Sequence, residues 1–158
     1  MADVHVRTSG GHSLRAALAS ALKASGVTSL KVGFFKTAKY PDGTQVAAVA
    51  AWNEFGTRTE KGGIHIPERP FFRQALKRGE EGAKKILLEE IDPLSMSVNE
   101  SLGDLIGLHY ATEIQKRIVD LREPPNAPST VERKGSSNPL VDTGFMRQSV
   151  TYLVKREA

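Results

Sequence analysis

The chain has 158 residues, a formal net charge of +4, no cysteine, and 39% hydrophobic and 25% charged residues. This length is enough for one domain whose core buries roughly two-thirds of the surface that the unfolded chain would expose. The composition excludes a disulfide framework, a thiolate metal site and a cysteine nucleophile, and no apolar run is long enough to cross a membrane. We therefore expect a single water-soluble domain over 1–158 that folds in a reducing cytoplasm and binds no membrane.

The amino-terminal third predicts an arm, a helix and a strand. Residues 1–12 are polar, contain a Gly pair and lack the pattern of a secretory signal, so we expect a flexible arm. Residues 13–24 repeat leucine and alanine at helical spacing, which predicts a helix with a narrow apolar stripe. Residues 29–35 alternate between two faces and predict a β-strand, which a Pro-Asp-Gly turn at 41–43 separates from the next element.

An alanine- and valine-rich segment over 45–55 predicts the second helix. Trp52 and Phe55 follow a valine at three-residue intervals, so we expect both aromatic side chains to lie in the core. Gly56 ends the apolar run and is predicted to adopt a positive φ angle there. Residues 56–67 contain adjacent glycines and no apolar period, which predicts an extended, mobile loop that projects from the domain.

Helices are predicted to dominate the middle of the chain. Phe71 and Phe72 follow a proline at a helix start, and we expect them in the core. Ser97-Val-Asn-Glu100 is typical of a capping box, and it precedes a long helix to about residue 121 that we expect to be the core spine. The residues expected to face inward along that segment are Val98, Leu102, Leu105, Ile106, Ile114, Ile118 and Leu121.

The carboxy-terminal part predicts a second loop and a closing strand. Residues 122–139 are rich in proline, asparagine and serine, so we expect a second extended loop that projects. Asp142 is predicted to cap a short helical turn, and Gly144 to allow a close backbone approach after that cap. Residues 149–155 alternate as a strand does. The side chains of that strand expected in the core are Val150 and Tyr152.

These elements together predict an α+β fold. The simplest arrangement pairs the strands at 29–35 and 149–155 in a small antiparallel sheet. Several helices would cover one face of this sheet, and the two long loops would project from it.

Charge is unevenly distributed along the sequence. Residues 56–85 contain eight basic and four acidic side chains, whereas residues 86–121 contain seven acidic and two basic ones. If the two stretches lie on different faces, identical subunits could dock head to tail and close into a ring; otherwise they are two solvated helix faces of one molecule. The residues predicted for a subunit interface are Arg58 and Lys61, which would meet the acidic stretch of the next subunit, with Ile64, Ile66 and Val131 as apolar anchors.

No pattern in the chain predicts catalysis or a cofactor. The four histidines are scattered singly, so no pair at ligand spacing predicts a metal site. The serine-rich stretches lack the strand-turn-helix context of a nucleophile elbow, and the Gly-rich segments match neither phosphate-binding fingerprint. We expect no enzyme activity, no cofactor and no metal.

Four sequence blocks carry a family resemblance. They are Tyr40-Pro-Asp-Gly-Thr44, Asn53-Glu-Phe-Gly-Thr57, Ile66-Pro-Glu-Arg-Pro-Phe71, and Leu140 to Thr151 with its Thr143-Gly144, Arg147 and Ser149-Val150. Together they resemble the tail-completion and neck proteins of tailed bacteriophages, the minor tail protein Z-like family. The resemblance covers about two-thirds of the chain, mostly outside 73–135.

This resemblance implies a structural virion protein of the neck or upper tail. Such a protein is assembled in the host cytoplasm, completes the tail and helps join it to the head-proximal connector. It would act as a ring, sixfold by the resemblance, in contact with other neck, connector and tail proteins and close to DNA. The alternatives are a tail terminator ring protein, or a small basic nucleic-acid-binding protein, which a pI of about 9.4 favours.

Overall fold

The chain folds as helices packed on a small antiparallel sheet, in a computed structural model that describes residues 14–92 and 94–157. The helices are α1 Leu14–Ala24, α2 Val46–Phe55, α3 Phe71–Arg78, α4 Glu80–Glu89, α5 Leu102–Asp120, α6 Pro128–Lys134 and α7 Phe145–Gln148. The strands are β1 Val27–Phe34, β2 Thr57–Arg58, β3 Ile64–Ile66 and β4 Val150–Arg156. The predicted α+β class is confirmed, and the arm predicted at 1–12 lies outside the described residues.

The main sheet joins two distant parts of the chain. β1 pairs antiparallel with β4, so that Val32 lies opposite Tyr152 and Leu30 lies opposite Val154. This is the pairing that the sequence predicts. Since side chains alternate along a strand, these residues share one face, and this face packs on α5.

The long helix α5 is the spine of the fold. Its buried residues belong to both hydrophobic clusters of the core: Ile106 to one, and Ile114 and Ile118 to the other. α5 can lie close to the sheet because it carries glycine where the strands cross it: a Cβ atom at Gly107 would be 2.7 Å from Tyr152 Cγ. The backbone of α5 therefore packs directly against side chains of the sheet, and a larger side chain at Gly107 would prevent this close contact.

Two predictions about α5 are wrong. The helix begins at Leu102 after Ser101, and no side-chain bond caps it, so the predicted capping box at 97–100 does not form. Those residues belong instead to a tight loop in which Ile91 and Val98 form a β-bridge. Leu105 is exposed, because the helix presents Leu102 and Ile106 to the core and turns Leu105 outward.

The predicted core is only partly correct. Phe71 and Val150 are buried, and Phe72 and Tyr152 are half-buried and pack against the same cluster. Trp52 and Phe55, by contrast, are 44% and 68% exposed, so their assignment to the core is wrong.

α2 buries the face opposite to the predicted one. Its buried residues are Val46, Ala50 and Glu54, which repeat every four positions. Trp52 and Phe55 project on the other side because Glu54 has polar partners inside the fold. Hydrophobicity alone would have placed the aromatic side chains inside and the carboxylate outside.

The two segments predicted as projecting loops differ. Residues 56–67 contain the β2–β3 hairpin, and most of its side chains are exposed, so this segment does project, as a hairpin. Residues 122–139 contain α6 and are bonded to the rest of the fold; the Asn138 Nδ2 donates to the Val119 carbonyl at 3.0 Å. The prediction of an extended loop there is wrong, because the segment contains a helix and polar side chains bond it to the rest of the fold.

Both backbone glycines have a positive φ angle: 69° at Gly56, as predicted there, and 80° at Gly144, where no φ angle was predicted. The close approach predicted at Gly144 is absent, since a Cβ atom there would come no nearer than 3.5 Å to Gln148 Nε2. Asp142 does not cap α7; the Thr143 hydroxyl accepts from the Phe145 amide at 3.4 Å instead. Gly144 is therefore required for its turn conformation and not for space.

Candidate subunit interface

A buried carboxylate joins α2 to α3. Glu54 is buried, and its two oxygens accept the backbone N–H groups of Phe72 at 2.8 Å and Arg73 at 3.3 Å. Both amides lie in the first turn of α3, where the N–H groups have no partner within the helix and the helix dipole favours negative charge. Glu54 thus acts as a remote cap for α3 and fixes the angle between the two helices.

A buried arginine, Arg69, bonds to Asn53, the residue that precedes Glu54. Arg69 Nε donates to the Pro124 carbonyl at 2.9 Å, and Nη2 donates to the Pro125 carbonyl at 3.1 Å. The same guanidinium reaches Asn126 Oδ1 at 3.1 Å and Asn53 Oδ1 at 3.2 Å. Burial lowers the pKa of Arg69. Its hydrogen-bond partners are all oxygen atoms, which accept bonds from the charged guanidinium and so stabilise it.

Asn53, Glu54 and Arg69 together form a structural unit that we call the polar bracket. The Asn53 carbonyl also accepts the Arg69 amide at 2.7 Å, so the end of α2 is tied to the segment that precedes α3. Through Arg69, the bracket holds residues 124–126 against this junction. None of these three residues was predicted as part of a site, although a glutamate within an apolar helix was a signal.

The polar bracket determines where the hairpin projects. The hairpin leaves α2 at Gly56 and returns to Arg69, so both of its ends are anchored by bracket residues. A Cβ atom at Gly56 would be 2.9 Å from the Ile66 carbonyl oxygen, which shows how closely the two ends approach. The hairpin is consequently a short arm on a rigid base.

Four of the five predicted interface residues belong to this hairpin. Arg58 and Ile64 are cross-strand partners, and Ile64 is 71% exposed. Lys61 is exposed in the turn, whereas Ile66 is half-buried at the base of the hairpin. Val131 lies on a separate element, α6, and is half-buried.

The outer side of α2 is an apolar surface next to the hairpin. Ala51, Trp52 and Phe55 are exposed on it, and we call these three residues the aromatic face. The Arg73 guanidinium carbon is 5.7 Å from the centroid of the Phe55 ring, within the range of a cation–π contact. The hairpin adds the cations Arg58 and Lys61 beside this face.

A second exposed apolar surface was missed in the sequence. Leu94 and Met96 lie between α4 and α5 and are 95% and 72% exposed. Asp92 Oδ1 accepts the amides of Leu94 at 2.8 Å and Ser95 at 3.3 Å, so the loop is well fixed. These hydrogen bonds lower the pKa of the Asp92 carboxyl and keep it ionised.

Met96 has a φ angle of 55°, a backbone conformation that residues other than glycine rarely adopt. Residues 89–92 and 94–100 contain four acidic side chains and no lysine or arginine, and we call them the acidic knob. Leu94 and Met96 are isolated apolar residues in a polar stretch, so the sequence had no hydrophobic period there from which the knob could be predicted.

Other kinds of site have little support in the structure. Two shallow surface grooves, of about 310 and 250 Å³, lie along α4 and between α5 and α7, and charged side chains line much of both. Within residues 14–92 and 94–157, no group of three or more potential metal ligands comes together. No helix in these ranges is long and apolar enough to span a membrane.

Comparison of the chain with family models, with curated proteins and with solved structures found no match. Its function must therefore be inferred from the arrangement of its own residues.

Proposed function

We propose that this chain is a structural protein of a bacteriophage virion, located in the neck or upper tail. There it completes the tail and helps to join it to the head-proximal connector, as a ring of identical subunits. It is assembled in the host cytoplasm and has no catalytic role. Its partners are further copies of itself and the neighbouring neck, connector and tail proteins.

The observation that carries this proposal is the polar bracket. Two of the sequence blocks behind the resemblance, 53–57 and 66–71, are separated by the hairpin in the sequence but meet in the fold. Their polar residues Asn53, Glu54 and Arg69 use their hydrogen bonds within the subunit. The blocks therefore build a rigid base for a projecting arm, which suits a protein that works by contacting its neighbours.

The exposed surfaces support the same reading. Trp52, Phe55, Leu94 and Met96 are large apolar side chains in contact with solvent, and they lie in two separate places. Clustered exposed apolar side chains in a subunit are typical of protein–protein interaction sites. A ring supplies a partner for both surfaces on every subunit.

The test is deletion of the coding sequence from the phage, with imaging of the particles that result. We expect filled heads and tails of normal length that are not joined, and rescue by the wild-type chain supplied in trans. Detection of the chain in purified intact particles, at a constant copy number, is expected as well. Intact infectious particles after deletion would refute the proposal, and tails of abnormal length would favour the terminator.

Nucleic-acid binding is the second candidate, because exposed aromatic rings beside cations can stack on bases. Trp52 and Phe55 are accessible, and Arg58 and Lys61 lie near them on the hairpin. Binding of a single-stranded oligonucleotide that weakens steeply with salt, and that is lost in Trp52→Ser, would favour this candidate.

A further inference from the structure

The two apolar surfaces lie at opposite ends of the spine helix. α3 and α4 run antiparallel to α5: Gln74 contacts Arg117 near the end of α5, and Glu90 contacts Ser101 just before its start. The aromatic face borders the beginning of α3, as the Phe55–Arg73 contact shows. The acidic knob follows the end of α4. The 19 residues of α5 separate the two ends by about 28 Å.

The chemistry of the two surfaces is complementary. The hairpin and α3 beside the aromatic face present the exposed cations Arg58, Lys61 and Lys77 against the exposed acid Glu60. Arg73 and Glu68 are exposed there too and pair with each other, and Arg73 also pairs with Glu54. The acidic knob has four carboxylates and no basic side chain of its own; Lys85 of α4 pairs with Glu89 at 3.8 Å, and the other three carboxylates have no cationic partner among the ion pairs of the described residues. Aromatic rings also pack favourably with methionine sulfur, and the knob presents Met96 beside Leu94.

Two complementary surfaces on opposite ends of one subunit cannot meet within that subunit. They can meet between copies, and the contact is then heterologous, which generates closed rings or open chains. We propose that the acidic knob of one subunit docks on the aromatic face of the next, with Leu94 and Met96 packed against Trp52 and Phe55. This proposal rests on the ring assembly of the proposed function and identifies both halves of its interface.

The positive φ angle of Met96 fits this role. A non-glycine residue in this conformation is held there by its surroundings, and such residues concentrate at functional positions. Asp92 secures the loop through the amides of Leu94 and Ser95, and Ser95 and Ser97 bond to each other at 2.8 Å. The knob is thus prepared before contact, which reduces the entropy lost on docking.

Trp52 is the single tryptophan of the chain and therefore reports on the aromatic face alone. The tracer is the variant Leu94→Ser/Met96→Ser, which keeps Trp52 and lacks the apolar part of the knob. The titrant is Trp52→Ser/Phe55→Ser, which has an intact knob and no tryptophan. The control titrant combines all four substitutions, and Leu153→Ser in the wild-type background is a matched control for loss of an exposed leucine.

We expect the tracer emission to shift to shorter wavelength on addition of the titrant, and to saturate at a 1:1 ratio. The control titrant should give no shift. In sedimentation, wild type and Leu153→Ser should assemble beyond a dimer, each double variant should be monomeric, and their mixture should stop at a heterodimer. Raising the salt from about 50 mM to about 500 mM should weaken the mixed dimer by about tenfold or more, because the paired charges are exposed.

Several outcomes would overturn the inference. These are an equal shift with both titrants, assembly of either double variant like wild type, or a wild type that stays monomeric at every concentration. A shift caused by a single-stranded oligonucleotide, with none from the intact-knob titrant, would assign the aromatic face to nucleic acid. None of these results tests the proposed location in the virion. Absence of the chain from purified particles would refute that location without testing the interface. A cooperative melting transition verifies that each variant is folded.

Discussion

Replacement of Arg69 by methionine tests whether the polar bracket holds the hairpin and residues 124–126 in place. Methionine has a similar length and no charge, so it fills much of the same space but donates no hydrogen bond. Arg69→Met leaves the Pro124 and Pro125 carbonyl oxygens without the donors that they have at 2.9 and 3.1 Å.

The structure gives the size of the expected effect. A hydrogen bond from a charged group contributes about 1.5–3 kcal/mol, and this substitution removes two part-buried ones, to the Pro124 and Pro125 carbonyls, besides freeing the side chains of Asn53 and Asn126. Methionine avoids the desolvation of a buried charge, which offsets part of the loss. We expect a net decrease of about 2–4 kcal/mol in the free energy of unfolding. For a domain of this size that lowers Tm by roughly 4–16 °C.

Urea unfolding measures the stability, and amide hydrogen exchange locates the change. Exchange should accelerate at 57–66 and 122–127 more than in the centre of α5. Arg58→Met is the matched control, since Arg58 is exposed and donates to the Gly62 carbonyl at 3.1 Å; it should change stability by less than about 0.5 kcal/mol. If Arg69→Met is as stable as this control, or exchange rises uniformly, the bracket does not act as described.

Four further results are expected. Gly107→Ala should lower stability by about 1–2 kcal/mol in urea unfolding, since crowding against Tyr152 exceeds the gain in helix propensity, and a Tyr152→Ala background should abolish that loss. Gly56→Val should cost about 2 kcal/mol or more, because its φ of 69° and the nearby Ile66 carbonyl both disfavour a branched side chain; unchanged melting would contradict this. Trp52→Ser should cost about 1 kcal/mol or less, and a loss of about 3–5 kcal/mol would mean that the ring is buried after all. The Asp92 carboxyl should titrate below 3.8 by NMR; because its pKa is depressed in the folded state, its stabilising effect is present above the unfolded value and lost as the pH falls through the folded one.

Local pattern was sufficient for much of the fold. The alternation at 29–35 and 149–155 predicted the strands that form β1 and β4, and their antiparallel pairing followed from the need to cover one face. Gly56 was predicted to have a positive φ because an apolar helical run ends there. Phe71 was correctly placed in the core. Each of these correct predictions depends on hydrophobic periodicity over a few residues or on the backbone conformation of a single residue.

The orientation of α2 needed the rest of the chain. Its sequence is apolar on almost all sides, so periodicity could not select a face, and Glu54 turns inward because the first turn of α3, 18 residues later, offers unpaired amides. The segment 122–139 likewise lacks an apolar period, and it is Arg69, 55 residues away from Pro124, that fastens it. These partners are polar and distant in sequence, and no local signal predicts them.

The sequence by itself determined that this chain has a basic and an acidic stretch, and that its strands and spine helix form an α+β core. Only the tertiary structure decided that the aromatic face and the acidic knob stand at opposite ends of α5, exposed and chemically complementary. The physical reason is that exposure depends on which groups find partners elsewhere in the fold. A buried carboxylate with two amide donors turned the aromatic residues of its own helix toward solvent.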